Sequence, residues 1–89
     1  MYYVYLLRST DHGRYYIGQT ENLGRRLMEH NSGKVYFTSK CLPWGIEIFL
    51  LKSSRKEALI LERKLKNLNK EDLEEFILKY KLGNNHAGL

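Results

Sequence analysis

Two tyrosines, an arginine and a glutamate set the chemical question in this chain. Tyr5 and Tyr16 stand eleven positions apart, Arg26 follows ten after Tyr16, and Glu62 comes much later. A guanidinium can clamp a phosphate oxygen through two parallel hydrogen bonds. A phenol can hold a water or, once ionised, take its proton; with a free pKa of about 10 it needs nearby cations to favour the phenolate. One carboxylate, completed by waters and a substrate phosphate, suffices for Mg2+. The four residue types together could cut a phosphodiester.

Each also has a plainer reading. Tyrosine is a favoured strand residue, and this chain has seven. Arg26 neighbours Arg25, and such pairs are commonly solvated. Glu62 lies beside an apolar stripe, where a lone carboxylate is costly unless paired. It could instead be a flank residue paired with Lys66 at i+4, worth ~0.3–0.5 kcal/mol. His12 reads as a turn residue, and His30 as a cation suited to a helix C-terminus. A Cys41–His30 nucleophile pair is available in composition alone.

The elements that must position these residues can be read in order. Tyr2 to Leu7 is a β-branched and aromatic run, a strand whose unbroken apolar character calls for cover on both faces. Asp11 to Arg14 carries turn chemistry around Gly13, and Tyr15 to Gly18 reads as the returning strand. Alternation puts Tyr3 and Tyr5 on one face, with Val4 and Leu6 on the other. A hairpin closed around residues 10 to 12 would set Tyr5 almost opposite Tyr16. Thr20 can cap a helix from Glu21 to His30, with Leu23 and Leu27 as its buried stripe and Gly33 ending it. Arg26 and His30, four apart, share a face at the edge of the core. Gly33 to Gly45 is an irregular loop, and Ile46 to Leu51 a third strand.

Ser54 and Glu57 form a capping-box pattern that opens a helix to about Leu68. Ala58, Leu61, Leu65 and Leu68 make its core face. Asn69 can cap a last helix with Leu73, Phe76, Ile77 and Tyr80 inward, stopped by Gly83. The order β-β-α-β-α-α predicts an α+β fold, a small three-stranded, mainly antiparallel sheet flanked by helices. Residues 1–83 are expected to form a single domain and residues 84–89 a flexible tail.

Composition narrows the classes. Eighty-nine residues, 43% hydrophobic and 28% charged, suit one small globular domain. A single cysteine excludes an intrachain disulfide framework and points to a reducing, intracellular setting. No apolar run nears the ~20 residues of a membrane helix, and the start lacks a signal-peptide pattern, so the cytoplasm is expected. No P-loop, Rossmann, CxxC or HExxH pattern is present. A net charge of +5 suits a polyanionic partner. Arg25, Lys34, Tyr36 and Lys40, with Phe37, are the candidates for phosphate contact and base stacking.

The whole pattern resembles the GIY-YIG nuclease superfamily, and within it the small stand-alone bacterial members. Tyr3-Val4-Tyr5 is a degenerate first motif, and Tyr16-Ile17-Gly18 is an intact second one. Gln19-Thr20, Asn22-Leu23, Arg25-Arg26-Leu27, Glu29-His30-Asn31, Gly33, Thr38, Pro43-Trp44 and the Glu57-Ala58 to Lys64 stretch extend the likeness from Tyr2 to about Leu68. The resemblance implies a Mg2+- or Mn2+-dependent endonuclease acting on DNA, in repair or processing. Little sequence preference is expected, since no separate targeting domain is present. It casts Tyr5 and Tyr16 as the two motif tyrosines, either of which can be the general base, Arg26 as catalytic arginine, His30 as an assistant and Glu62 as metal ligand. Of the two tyrosines, Tyr5 is the expected base and Tyr16 the residue orienting water or phosphate. Gln19 stands where some relatives have lysine. Asn67 and Asn69 are near candidates for a downstream asparagine. A binding module or adaptor that keeps the fold is the alternative.

Overall fold

The computed structural model describes the backbone of residues 1–87 and the side chains of residues 1–83. The strands are β1 (Tyr2–Ser9), β2 (Tyr15–Thr20) and β3 (Trp44–Lys52); the helices are α1 (Leu23–Asn31), α2 (Arg55–Lys66) and α3 (Lys70–Ala87), with a 3-10 turn at Tyr36–Thr38. The sheet is antiparallel throughout, in the order β2-β1-β3. The expected α+β architecture is what the chain forms.

The central position of β1 explains its apolar run. Val4 and Leu6 pack with Ile17, Ile48, Ala58, Leu65, Leu73 and Ile77 under α2 and α3. Tyr5 and Leu7 face the other way, with Trp44, Leu23 and Leu27 around them. Burying a leucine-sized side chain contributes roughly 1.5–3 kcal/mol, so both layers matter to a chain this short.

The hairpin register differs from the expectation. Ser9 N–H donates to Arg14 O at 2.8 Å and Gly13 N–H to Ser9 O at 3.0 Å, so the loop is wider than one closed at residues 10 to 12. Gly13 supplies the left-handed conformation this loop needs (φ +62°). Tyr5 therefore pairs with Gly18, and Tyr16 with Leu7. A slide of two keeps every side chain on its face, so the tyrosines remain neighbours, but diagonally.

Two helix boundaries also differ. The second strand runs on to Thr20, so α1 cannot begin at Glu21. Asn22 is the cap, its Oδ1 accepting from Arg25 N–H at 3.0 Å, while Thr20 Oγ1 accepts from Asn22 N–H at 3.1 Å. The far end is fixed as expected: Gly33 (φ +80°) lets its own N–H reach His30 O and that of Lys34 reach Glu29 O. The last helix does not stop at Gly83 but continues to Ala87. An interior glycine costs a helix only about 1 kcal/mol. The expected tail is thus helical over residues 84–87, and residues 88–89 lie outside the described residues. At the start of α2 only half of the capping box forms. Ser54 Oγ accepts from Glu57 N–H, but the Glu57 carboxylate turns to Ser53 Oγ at 2.7 Å.

Candidate active site

Tyr5 enters from the middle strand onto the α1 face and is 1% exposed. Its ring end rests directly over Gly18. A methyl group added at Gly18 would stand 2.6 Å from the Tyr5 hydroxyl oxygen and 2.8 Å from Cζ. The glycine of the second motif is therefore the floor on which the first motif's tyrosine lies.

From α1, His30 meets that hydroxyl, its Nε2 3.0 Å from the Tyr5 oxygen. His30 Nδ1 lies 2.8 Å from Thr38 Oγ1 on the 3-10 turn. Both His30 and Thr38 are fully buried. His30 thus sits inside the cluster and not at the core's edge, because the 38–44 segment folds over it. That segment is fastened twice. The Trp44 indole N–H donates to Thr38 O at 2.8 Å, and the Asn31 amide both donates to Trp44 O at 2.9 Å and accepts from Trp44 N–H at 2.6 Å.

One helical turn earlier, Arg26 Nε donates to the Tyr5 oxygen at 3.3 Å and Nη1 to Glu29 Oε1 at 3.0 Å. Burial pushes the Tyr5 phenol up to about 12, with the Arg26 hydrogen bond opposing it. Burial, helped by the Arg26 charge, pushes His30 down to about 4. The hydrogen bond to Tyr5 raises Arg26, and that from Arg26 lowers Glu29. At neutral pH the cluster is a phenol, a neutral imidazole and a guanidinium. Its geometry leaves no Cys41–His30 pair: both imidazole nitrogens are engaged by Tyr5 and Thr38.

Tyr16 completes the cluster. Its ring centroid is 6.2 Å from that of Tyr5, 4.7 Å from that of His30 and 6.4 Å from that of Trp44. Unlike Tyr5 it reaches solvent, lining a groove of about 400 Å³ with Arg14, Phe37, Cys41, Trp44 and Lys66.

Glu62 makes no hydrogen bond to these four side chains, although its charge reaches Tyr5 and helps to raise the phenol. It rises from α2 against the outer strand, where Gln19 Nε2 donates to its Oε1 at 2.9 Å and Lys66 Nζ reaches its Oε2 at 2.8 Å. The Lys66 pairing is the one the i+4 spacing allows. The carboxylate is nevertheless no open flank residue, since only 13% of its side chain is exposed. Beside it, Gln19 Oε1 is buried without any hydrogen-bond partner. A carboxylate next to an orphaned amide oxygen is a hard-oxygen donor set of the kind Mg2+ takes, so the residues fit such an ion. Among the described residues no three His, Cys, Asp or Glu side chains cluster. Waters and substrate phosphate would supply the remaining ligands.

The expected nucleic-acid contacts divide into two patches. Arg25 and Lys34 flank a shallow hollow of about 270 Å³ on the outer side of α1. Tyr36 and Phe37 are 74% and 82% exposed, with Lys40 Nζ 5.8 Å from the Tyr36 ring centroid. Arg14 and Lys66, at the groove itself, were not among the expected contacts; their spacing to Tyr16 and Glu62 was the available signal. Gly18 and Thr38 lay inside the recognised pattern without a role. Asn67 follows the last turn of α2, and Asn69 is committed to capping α3, its Oδ1 accepting from Asp72 N–H at 2.8 Å.

A sequence model of the GIY-YIG catalytic domain matches residues 1–76. A UPF0213 protein of Streptococcus pneumoniae serotype 4 is 40% identical over 76 residues, covering 84% of this chain and 76% of the relative. A UPF0213 protein of Yersinia enterocolitica is 34% identical over 82 residues, covering 88% and 80%. The solution NMR structure of a UPF0213 protein from Bacillus halodurans superposes with a TM-score of 0.57 at 32% identity, covering 86% of this chain and 83% of that one.

Proposed function

Because the chain belongs to the GIY-YIG catalytic domain family, we propose that it is a divalent-metal-dependent endonuclease hydrolysing phosphodiester bonds in DNA with little sequence preference. The observation that carries this reading is the Tyr5–Arg26–His30 contact set with Tyr16 at its mouth. Neither binding nor scaffolding requires a buried phenol held between a guanidinium and an imidazole.

In this reading Tyr16 orients the attacking water in the groove. Tyr5 accepts a proton from that water, which approaches on the Tyr16 and Arg26 side, where solvent reaches the cluster. Tyr5 is a phenol at rest, so its own proton must leave as the new one arrives; Arg26 stabilises the charge that develops on the phenol oxygen and the phosphate. Glu62, with Gln19 beside it, would hold Mg2+, which when bound supplies charge stabilisation at the leaving oxygen.

The test is a cleavage panel of single-stranded, duplex and branched DNA, and RNA, with Mg2+ or Mn2+. Wild type is expected to cut DNA. Arg26→Ala and Glu62→Gln should each lose on the order of a hundredfold or more while staying folded. A wild type that cuts none of these substrates defeats the proposal. The exposed Tyr36, Phe37 and Lys40 patch favours a second reading, a nucleic-acid-binding module. That reading predicts salt-sensitive binding untouched by Glu62→Gln.

A further inference from the structure

We propose that Thr38 is a positioning residue that holds His30 as its Nδ1–H tautomer, leaving Nε2 bare to receive the Tyr5 proton during catalysis. The inference rests on the assignment of Tyr5 as the proton acceptor for water, and it adds the residues that make that assignment workable.

Hydrogen-bond accounting in the buried cluster selects the tautomer. Thr38 has one hydroxyl proton, and Val35 O lies 3.3 Å from Oγ1, in place to accept it. Thr38 Oγ1 can then accept from His30 Nδ1–H at 2.8 Å. Nε2 is left without a proton and accepts from the Tyr5 hydroxyl at 3.0 Å, while the Tyr5 oxygen accepts from Arg26 Nε at 3.3 Å. Every proton has an acceptor. With the proton on Nε2 instead, the Tyr5 oxygen would receive two donors, and its own O–H would have no acceptor among the described residues. A buried polar group without a partner costs about 1–3 kcal/mol. Burial pushes His30 down to about 4, so at rest its Nε2 lone pair is free to accept the Tyr5 hydrogen bond, and the imidazolium, which burial disfavours, exists only in passage during the step.

The step balances. A water O–H bond breaks and its proton goes to the Tyr5 oxygen. The phenolic O–H breaks and an N–H bond forms at His30 Nε2. The water oxygen bonds to phosphorus as the bond to the leaving oxygen breaks, and the imidazolium later returns its proton to solvent or to the leaving oxygen. Thr38 stands in the wall of the Tyr16 groove, but its hydroxyl is committed to His30 and Val35. It acts by fixing which nitrogen is bare, and Trp44, bonded to the Thr38 carbonyl, fixes the turn that carries it.

The test is 15N–1H correlation of the imidazole nitrogens in the intact protein, with unfolding curves as a folding control. Wild type should show the Nδ1–H tautomer for His30. Thr38→Ser should keep it. Thr38→Val should lose it and lower kcat about ten- to a hundredfold with KM little changed, a part of the ~10²–10⁴ that a positioned acid or base contributes. An Nε2–H tautomer in wild type overturns the proposal even if Thr38→Val fails to fold. So does a folded Thr38→Val protein whose tautomer or kcat is unchanged. A wild type that cuts nothing defeats the nuclease reading instead, and the tautomer measurement still decides the role of Thr38.

Discussion

His30 and Glu62 are both polar side chains drawn into this fold, and they are held in opposite ways. The imidazole is fully buried and fixed from both ends by Tyr5 and Thr38, on a turn tied down by Trp44 and Asn31. The carboxylate lies at an edge, held by a lysine side chain half open to solvent and an amide that leaves its own oxygen unpartnered. One half of the site is assembled before any ligand arrives. The other is held by groups that, on the proposed reading, a cation and a phosphate would replace. Proton transfer needs fixed distances, whereas holding a dissociable ion needs a carboxylate that can exchange partners.

The largest effect that separates the halves is acid sensitivity. An unfolded histidine titrates at about 6.5, and His30 in the fold at about 4. Between these values the unfolded chain binds a proton that the folded chain refuses. Stability is therefore complete above about 6.5 and falls as the pH drops towards about 4, by roughly 3 kcal/mol in all. Urea unfolding at stepped pH should show this slope in wild type and lose it in His30→Gln. Parallel curves would mean that His30 is not held neutral by its surroundings.

Next in size is the floor beneath Tyr5. Gly18→Ala places a methyl 2.6 Å from the Tyr5 hydroxyl oxygen, between a backbone and a ring that cannot retreat without leaving His30. A loss of about 1–3 kcal/mol is expected, as for other overpacked cores, together with a changed His30 imidazole signal. Gly45→Ala is the control on the same sheet: nothing lies within 4 Å of its added methyl, so stability should move by about 0.5 kcal/mol or less. Equal losses at the two positions would remove the argument that Gly18 is fitted to Tyr5.

These features were legible to different degrees. That Tyr5 and Tyr16 share a face follows from strand alternation, which survives a slide of two. The slide itself depends on how Gly13 and Arg14 close the loop, and local propensity does not determine that. Arg26 and His30 sharing a helix face was readable from their spacing of four. The burial of His30 was not, because it depends on a turn eight residues later being pinned by Trp44. Thr38 stood inside the recognised pattern without a role for the same reason. The continuation of α3 past Gly83 escaped because one interior glycine carries a small penalty against a helix already running from Lys70. Lys66 was readable as a partner of Glu62, but its place at the mouth of the Tyr16 groove comes only from packing α2 against the outer strand.

The smallest predicted effect bears on that lysine and is the sharpest test of the adaptable half. Lys66 Nζ occupies one carboxylate oxygen of Glu62 while remaining half exposed, so the pair is worth only ~0.4–1 kcal/mol. A divalent ion binding at Glu62 must displace it. Lys66→Met keeps the aliphatic stem and removes the competing charge, so Mn2+ should bind about two- to fivefold more tightly, the equivalent of that energy. Thermal stability should fall by no more than the same amount. Titration of the apoprotein with Mn2+, followed by loss of the free-ion EPR signal, measures this without substrate or turnover, and Glu62→Gln should abolish the binding. Weaker binding in Lys66→Met would show that Lys66 orients the carboxylate for the ion and does not compete with it, and the edge would then be as preorganised as the buried cluster.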